Sequence, residues 1–355
     1  MRVVKEFIQE DIRISVFSWN NKYIIKFEFG PFEQTFKISE MDVLDEADLD
    51  VFLSGDFFEK VKSRFELNDE IIHLKDHFEF LLANRDSLLQ IPTQNEYSFD
   101  QGYSTNTPQD SKKLSSVVVL NTSKDFEKSM ENVMLTNSMD SLFRQTFEKY
   151  SMLAQVYYNT ADQVSRVFPA YDAKTLLDPD IDLTNFNFYY EGDLEHNPEK
   201  GPVWIPEVYV DPAGRGWILS LVHPVYDGEE LYAVLGLDIT VDELIGRYLD
   251  NREGEFLIVN NKGDIVGGKS AAIESLSFPP LKHHVYRETI LADNFRISDF
   301  NLFNSKNNEV RSMAQVFVME KESHFSFTDD FSPKAAYAVP FTLLDWYLIE
   351  LELRP

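Results

Sequence analysis

The sequence predicts an α+β chain: a small block of antiparallel strands and helices, a long amphipathic helix, then many short strands to the end. Three observations predict it. Apolar residues recur with a period of two across residues 12–38, the spacing of half-buried strands. From Glu46 the spacing becomes helical, and it does so again over 123–150. Beyond Tyr150, short apolar runs are divided by Gly, Pro, Asn and Asp, which punctuate strands.

Composition bounds the answer. At 355 residues the chain exceeds one ordinary compact domain, and 43% hydrophobic with 14% aromatic residues supports real cores. The 33 Lys and Arg against 60 Asp and Glu leave a net charge of −27. Such a surface repels phosphate backbones and anionic lipids, so it argues against nucleic-acid and membrane-surface partners and favours solubility or cationic ligands. The absence of cysteine removes disulfides, thiolate nucleophiles and Cys-ligated metals. The opening MRVVKEFIQEDIRISVF is charged throughout. The longest uncharged apolar run, GWILSLVHPVY at 216–226, falls far short of the roughly 20 residues of a spanning helix. A cytoplasmic protein without a membrane span is expected.

The elements follow in order. Ile12, Ile14 and Val16 alternate with other residues, Asn20-Asn21 offers a turn, and Tyr23, Ile25, Phe27 and Phe29 resume the alternation. A third run, Phe32 to Ile38, follows Gly30-Pro31. Leu49, Phe52, Leu53, Phe57, Val61 and Phe65 then fall at helical spacing, which gives one or two helices, with Ile71 to Leu82 as the second. Residues 1–86 therefore read as a β-meander and helix module. Residues 87–122 are rich in Ser, Thr, Asn, Gln and Pro and read as a linker with one short strand at Val117 to Leu120. Residues 123–150 read as one long helix, with Phe126, Val133, Met134, Phe143 and Phe147 near one stripe.

One constellation carries chemistry. Tyr209 and Asp211 are two apart on a predicted strand, so both face the same way. Asp238 closes the apolar strand Ala233 to Leu237. Phe188, Tyr189, Tyr190 and Trp204 supply aromatic faces. Two carboxylates and aromatic rings suit a cationic group, through charge-assisted hydrogen bonds and cation–π contact. Structural readings stand beside this one. Asp211-Pro212-Ala213-Gly214 is also a hairpin-turn sequence, Asp238 precedes a capping box at Thr240 and Glu243, and Trp204 and Trp217 suit a core.

From Val156 the sequence resembles the double Cache family of ligand-sensing domains. The resemblance is carried by VYYNTADQVSRVFPAYD (156–172), NFYYEGD (187–193), WIPEVYVDPAGRGWILSLVHPVYDGEELYAVLGLDITVDEL (204–244), EGEFLIVNNKGDIVGG (253–268) and LLDWYLIEL (343–351). It implies a double Cache domain over 123–353: a long helix (123–150) followed by two PAS-like antiparallel-sheet lobes (151–248 and 249–353). It further implies that Tyr209, Asp211 and Asp238 hold a ligand's ammonium. Amino-acid-binding members carry an Arg just before the aromatic pair to clamp the ligand carboxylate. Here no Arg stands between Arg166 and Arg215, and Phe186 or Asn187 occupies that neighbourhood. Members usually lie between two membrane helices, which this sequence lacks.

Other motifs carry less. Gly263 to Ser270 spells GxxxxGKS, but Asn260 to Gly263 reads as a hairpin turn, and Asp264 inside the loop would repel phosphate. Asp178, Asp180 and Asp182 begin like a calcium loop, yet Leu183 replaces the turn glycine. His73 and His77 share a helix face without a third ligand, and His223 suits a core. His283 and His284, adjacent on a strand, would point to opposite faces. No hydrolase spacing is present, and neither cofactor nor metal is expected. The sequence thus points to a non-enzymatic sensor with Trp204, Phe188, Tyr189, Tyr209, Asp211 and Asp238 about an amine or polar metabolite. The signal would leave through the N-terminal module, a homodimer or a partner protein. The alternative is an interaction scaffold with a degenerate pocket.

Overall fold

The computed structural model describes residues 1–355 apart from 41–42, 44–45, 92–96, 206–207, 242–252, 280–299, 331, 341–345 and 355. Two compact units, Met1–His73 and Leu74–Pro355, divide the chain.

The first unit is a four-stranded antiparallel meander, β1 (Arg2–Gln9), β2 (Ile12–Trp19), β3 (Lys22–Phe29) and β4 (Phe32–Ser39), in sequential order. The predicted turn is present: Asn20 and Asn21 both have positive φ (49° and 56°), as do Glu10 and Asp11 (48° and 66°). Two such residues suit a tight two-residue hairpin turn of the right twist. Ile12, Ile14, Val16, Ile25 and Phe27 bury one face against Phe58, Val61 and Phe65 of helix α1 (Gly55–Ala83). Strand β1 has no counterpart in the predicted meander, because its residues are mostly exposed and its charges mask the alternation.

Helix α1 is a single helix of 29 residues where one or two are expected, the longest among the described residues, and the boundary between the compact units falls within it. Its buried stripe runs Phe58, Val61, Phe65, Ile71, Leu74, Phe78 and Leu81. Asn68, with a buried Oδ1, fills the gap in that stripe, and the gap splits the sequence pattern in two.

The first lobe is built on a nine-stranded sheet. It contains β5 (Phe99–Asp100), β6 (Tyr103–Ser104), β7 (Ser116–Val119), β8 (Gln155–Thr160), β9 (Val164–Phe168), β10 (Val203–Trp204), β11 (Tyr209–Val210), β12 (Trp217–Asp227) and β13 (Glu230–Thr240). Their order is β10-β12-β13-β8-β9-β7-β6-β5, with β11 also paired to β12. The expected linker therefore differs from what is found: residues 99–119 supply three strands of this sheet. Only Val117 to Leu120 carries a legible strand pattern. Strands β5 and β6 are two residues each, too short for periodicity, and are fixed by tertiary bonds such as Tyr103 Oη to Leu177 O at 2.8 Å.

Residues 123–150, expected as one helix, form two: α2 (Phe126–Leu135) and α3 (Met139–Lys149). The cause is long-range. Arg166 on β9 donates to Val133 O at 2.9 Å and to Asn137 Oδ1 at 3.1 Å. The Thr136 hydroxyl bonds back to Asn132 O at 2.8 Å. Arg166 thereby takes the Val133 carbonyl that the Asn137 amide would otherwise use, and that amide turns to Met134 O at 3.4 Å.

The second lobe carries a five-stranded antiparallel sheet in the order β15-β14-β18-β17-β16. Its strands are β14 (Glu255–Asn260), β15 (Ile265–Gly268), β16 (His324–Ser326), β17 (Ala335–Pro340) and β18 (Trp346–Glu352). Leu257, Val259, Ile349 and Phe317 lie in its core. The architecture is thus α+β, with a long helix preceding two antiparallel-sheet lobes. Among the described residues, no helix is long and apolar enough to cross a membrane.

Candidate functional site

The register of the first lobe decides which side chains meet. Asp238 on β13 stands opposite Ser220 on β12 and opposite Gln155 on β8, and Gly236 stands opposite Tyr157. Tyr209 pairs with Ile218, so its hydroxyl reaches Ser220 Oγ at 2.8 Å. Alternation then places Gln155, Tyr157 and Asn159 on one face of β8, while Val156 and Tyr158 take the other. On the first face lies a cavity lined by Gln155, Tyr157, Phe188, Tyr209, Asp211 and Asp238, among others. Its volume, taken as the space open to the centre of a water molecule, is about 30 Å³. That is room for on the order of two waters, one needing roughly 10–15 Å³.

Gly236 is required here. A Cβ on it would lie 2.0 Å from Cζ of Tyr157, so only glycine lets the tyrosine ring cross β13 and bring its hydroxyl to the cavity.

Burial dominates the electrostatics. Asp238 is 1% exposed; loss of solvent, then the neighbouring charge of Asp211, push its carboxyl up to about 8, against partial relief from Ser220, Gln155 and Tyr157. Asp211 is also raised by burial. Two backbone amides oppose that rise, Ala213 N donating to Oδ1 and Arg215 N to Oδ2, each at 3.0 Å, and the Arg215 charge adds to them. Burial holds the Tyr157 and Tyr209 hydroxyls well above their ordinary range, so both are protonated.

The polar atoms of the cavity are incompletely paired. Gln155 Nε2 donates to Asp238 Oδ2 at 2.7 Å. Asp238 Oδ1, Gln155 Oε1, Tyr157 Oη and Asn159 Oδ1 are buried, and among the described residues no hydrogen bond of good geometry reaches them, although Tyr157 lies close enough to Tyr209, Ser220 and Asp238 to interact with them. Buried polar groups are rarely left so, because each costs about 1–3 kcal/mol. Three of the four are carbonyl or carboxyl oxygens that accept, and the protonated Tyr157 hydroxyl can both accept and donate.

Of the six residues singled out from the sequence, Tyr209, Asp211, Asp238 and Phe188 line this cavity together. Tyr189 and Trp204 do not line it. Tyr189 is buried, with its hydroxyl donating to Leu231 O at 3.1 Å. Trp204 lies half-buried on edge strand β10 opposite Leu221. Asp211 also holds its own turn, as the alternative reading of Asp211 to Gly214 expects, with Gly214 N bonded to Asp211 O at 3.0 Å. Phe186, in the neighbourhood of the absent arginine, is fully buried and stacks on Phe188 with centroids 4.9 Å apart. Gln155, Tyr157 and Asn159 escape the sequence reading. Their signal is the alternation of polar residues in QVYYNT, a strand whose every residue is buried.

The remaining motifs fall outside this site. The GxxxxGKS letters lie on the β14–β15 hairpin: Gly263 occupies the turn at φ +86°, and Lys269 Nζ donates to Gly254 O at 2.8 Å. Asp182 accepts from Thr184 N and Gln163 Nε2. His223 is buried, and its Nδ1 pairs with Pro224 O at 2.9 Å. His283, His284 and Glu243 lie outside the described residues. Among the described residues, no cluster of His, Asp and Glu is arranged to hold a metal.

No family model matches the chain, and no curated protein matches it. Solved structures do. The sensory domain of the Campylobacter jejuni chemoreceptor Tlp3 with isoleucine bound is 10% identical, covering 83% of this chain and 95% of its own at a TM-score of 0.35. The ligand-binding domain of the Pseudomonas aeruginosa chemoreceptor PctB with L-Gln is 14% identical, covering 81% and 90% at 0.32. The ligand-binding domain of Mlp24 with asparagine is 13% identical, covering 84% and 95% at 0.34.

Proposed function

We propose that the chain is a non-enzymatic small-molecule sensor whose first lobe receives a donor-rich ligand group, an ammonium or a polar metabolite, among Asp238, Asp211, Tyr209 and Tyr157. The single observation that carries this reading is the set of buried oxygens on one cavity, Asp238 Oδ1, Gln155 Oε1 and Tyr157 Oη, that no well-formed hydrogen bond reaches among the described residues. An ammonium presents three donors and a charge, and meets all three acceptors while relieving the repulsion between the two carboxylates. The aromatic rings of Phe188 and Tyr209, with centroids 6.1 Å apart, add apolar walls. The test is calorimetry with a panel of small amines and polar metabolites on the intact chain and on Asp238→Asn. Binding that Asp238→Asn weakens at least about tenfold supports the reading. The absence of any binding overturns it.

A second reading is favoured by one observation, the volume of about 30 Å³. In that reading two waters satisfy the oxygens, and the lobe is an interaction scaffold with a degenerate pocket. Native mass spectrometry separates the two, since only the sensor retains a small molecule. In either reading the output runs through the N-terminal module, a homodimer or a partner protein. A cytoplasmic setting belongs to the same proposal.

A further inference from the structure

Two histidines meet the second half of helix α1, one from beneath it and one carried on it. On β12, Ser220 faces the cavity side of the sheet because it stands opposite Asp238, and alternation turns His223 to the other side. There His223, Leu235 of β13 and Tyr158 of β8 form one row across three strands. Phe78 of α1, fully buried, meets the Tyr158 ring of that row edge-on, with centroids 5.1 Å apart. His223 is 5% exposed in this row, beside a Leu235 that is wholly buried. On α1 itself, His77 is half-buried and brings Nε2 to 3.0 Å from Ser138 Oγ, in the turn between α2 and α3.

The surroundings of both imidazoles favour the uncharged ring. A carbonyl only accepts, so the 2.9 Å contact of His223 Nδ1 with Pro224 O puts the hydrogen on Nδ1 and leaves Nε2 to take a further proton. The charged groups that act on this ring come from α1: Lys75, Asp76 and Glu79. Glu79 is already paired with Lys75 at 2.8 Å. Burial is the main force holding His223 below the usual histidine range, and Lys75 adds to it, while the Pro224 carbonyl, Glu79 and Asp76 act the other way. His77, facing the neutral Ser138 hydroxyl, is lowered by burial.

We infer that these two histidines form an acid-operated latch: uncharged, they let the Leu74–Ala83 part of α1 lie on the first lobe, and protonation releases it. Lifting the helix returns the imidazoles to water, where the charged ring is stable, so protons drive the equilibrium toward release. Above about pH 6.5 both rings are uncharged whether the helix is docked or released, and docking is unaffected by them. As pH falls below that value the released state takes up protons first, and docking weakens by at most about tenfold per pH unit for each histidine. The latch lies on the face of the sheet away from the cavity and does not depend on a ligand there.

The test is hydrogen exchange of the intact chain between about pH 5 and pH 7.5, with the intrinsic pH dependence of exchange divided out, read separately for residues 74–83 and for β8. The expected result is a fall in protection of 74–83 by at least about tenfold at the acid end, while β8 does not lose protection. His223→Phe combined with His77→Gln removes the fall; His223→Gln takes the place of His223→Phe if that variant fails to fold. Protection of 74–83 that stays level with pH, or a fall that survives both substitutions, overturns the latch. A parallel fall in β8 overturns it as well, because it reports unfolding of the lobe and not release of the helix.

Discussion

Strand β8 separates two buried polar clusters with opposite histories of satisfaction. On its helix side, Arg166 is fully buried and bonds to Asp140 at 2.8 Å, to Val133 O at 2.9 Å and to Asn137 at 3.1 Å. Asp140 in turn accepts from Tyr97 Oη at 2.7 Å and from Ser115 Oγ at 2.6 Å. Tyr158 completes the set, its hydroxyl 2.6 Å from Thr136 Oγ1. On the cavity side, Asp238 Oδ2 accepts from Gln155 Nε2, and no well-formed hydrogen bond reaches Oδ1 among the described residues. The helix-side cluster is the more fully bonded of the two, though Asn137 Nδ2 is buried in it without a partner among the described residues. A well-bonded network rigidifies a fold, whereas an open one keeps bonding capacity. The contrast is the reason for reading Arg166 as architecture and Asp238 as a site.

The contrast can be broken by substitution. Arg166→Met removes the cation and leaves Asp140 buried without its charge partner, so a loss of about 3–5 kcal/mol in denaturant unfolding is expected. A loss below about 1 kcal/mol would show that the Arg166–Asp140 pair does not hold this cluster together in solution. Gly236→Ala forces the Tyr157 ring aside and should cost about 1–3 kcal/mol, read as a fall in Tm, with weaker ligand binding.

The pH dependence sharpens the comparison further. The folded carboxyl of Asp238 titrates near 8, above its ordinary 3.8. The native state therefore holds this proton more tightly than the unfolded chain. The stability it contributes is full below about pH 4 and is lost as pH rises toward 8, at most about 1.4 kcal/mol per pH unit. Thermal unfolding between pH 6 and 9 checks the sign: the intact chain loses more stability across that window than Asp238→Asn. A cationic ligand must displace the same proton, so affinity should rise with pH up to about 8. The smallest effect belongs to the surface. Lys128→Ala breaks a pair with Asp162 at 3.0 Å, with the lysine 57% exposed, and should change stability by less than about 0.5 kcal/mol.

Much of this was legible beforehand, and what was not has physical causes. The meander shows because Ile12, Ile14 and Val16 bury one face and their neighbours do not. The break between α2 and α3 stays hidden because it is imposed by Arg166, some thirty residues away in the chain, and no local propensity encodes it. Strands β5 and β6 are hidden by their length. In the site, the spacing of Tyr209 and Asp211 and the placement of Asp238 at a strand end bring the three together on one cavity. Aromatic type alone places nothing, and Tyr189 and Trp204 fall elsewhere for that reason. Gln155, Tyr157 and Asn159 look like ordinary strand residues until the register of β8 against β13 shows which way they point.

Tyr157 and Tyr158 are joined by a single peptide plane and project to opposite sides of it. The ring of Tyr158 meets Phe78 of α1 edge-on, centroids 5.1 Å apart at 81°. A substitution that shifts the backbone of this strand is therefore felt on both faces of the sheet at once, at the cavity and at the ring pair with Phe78.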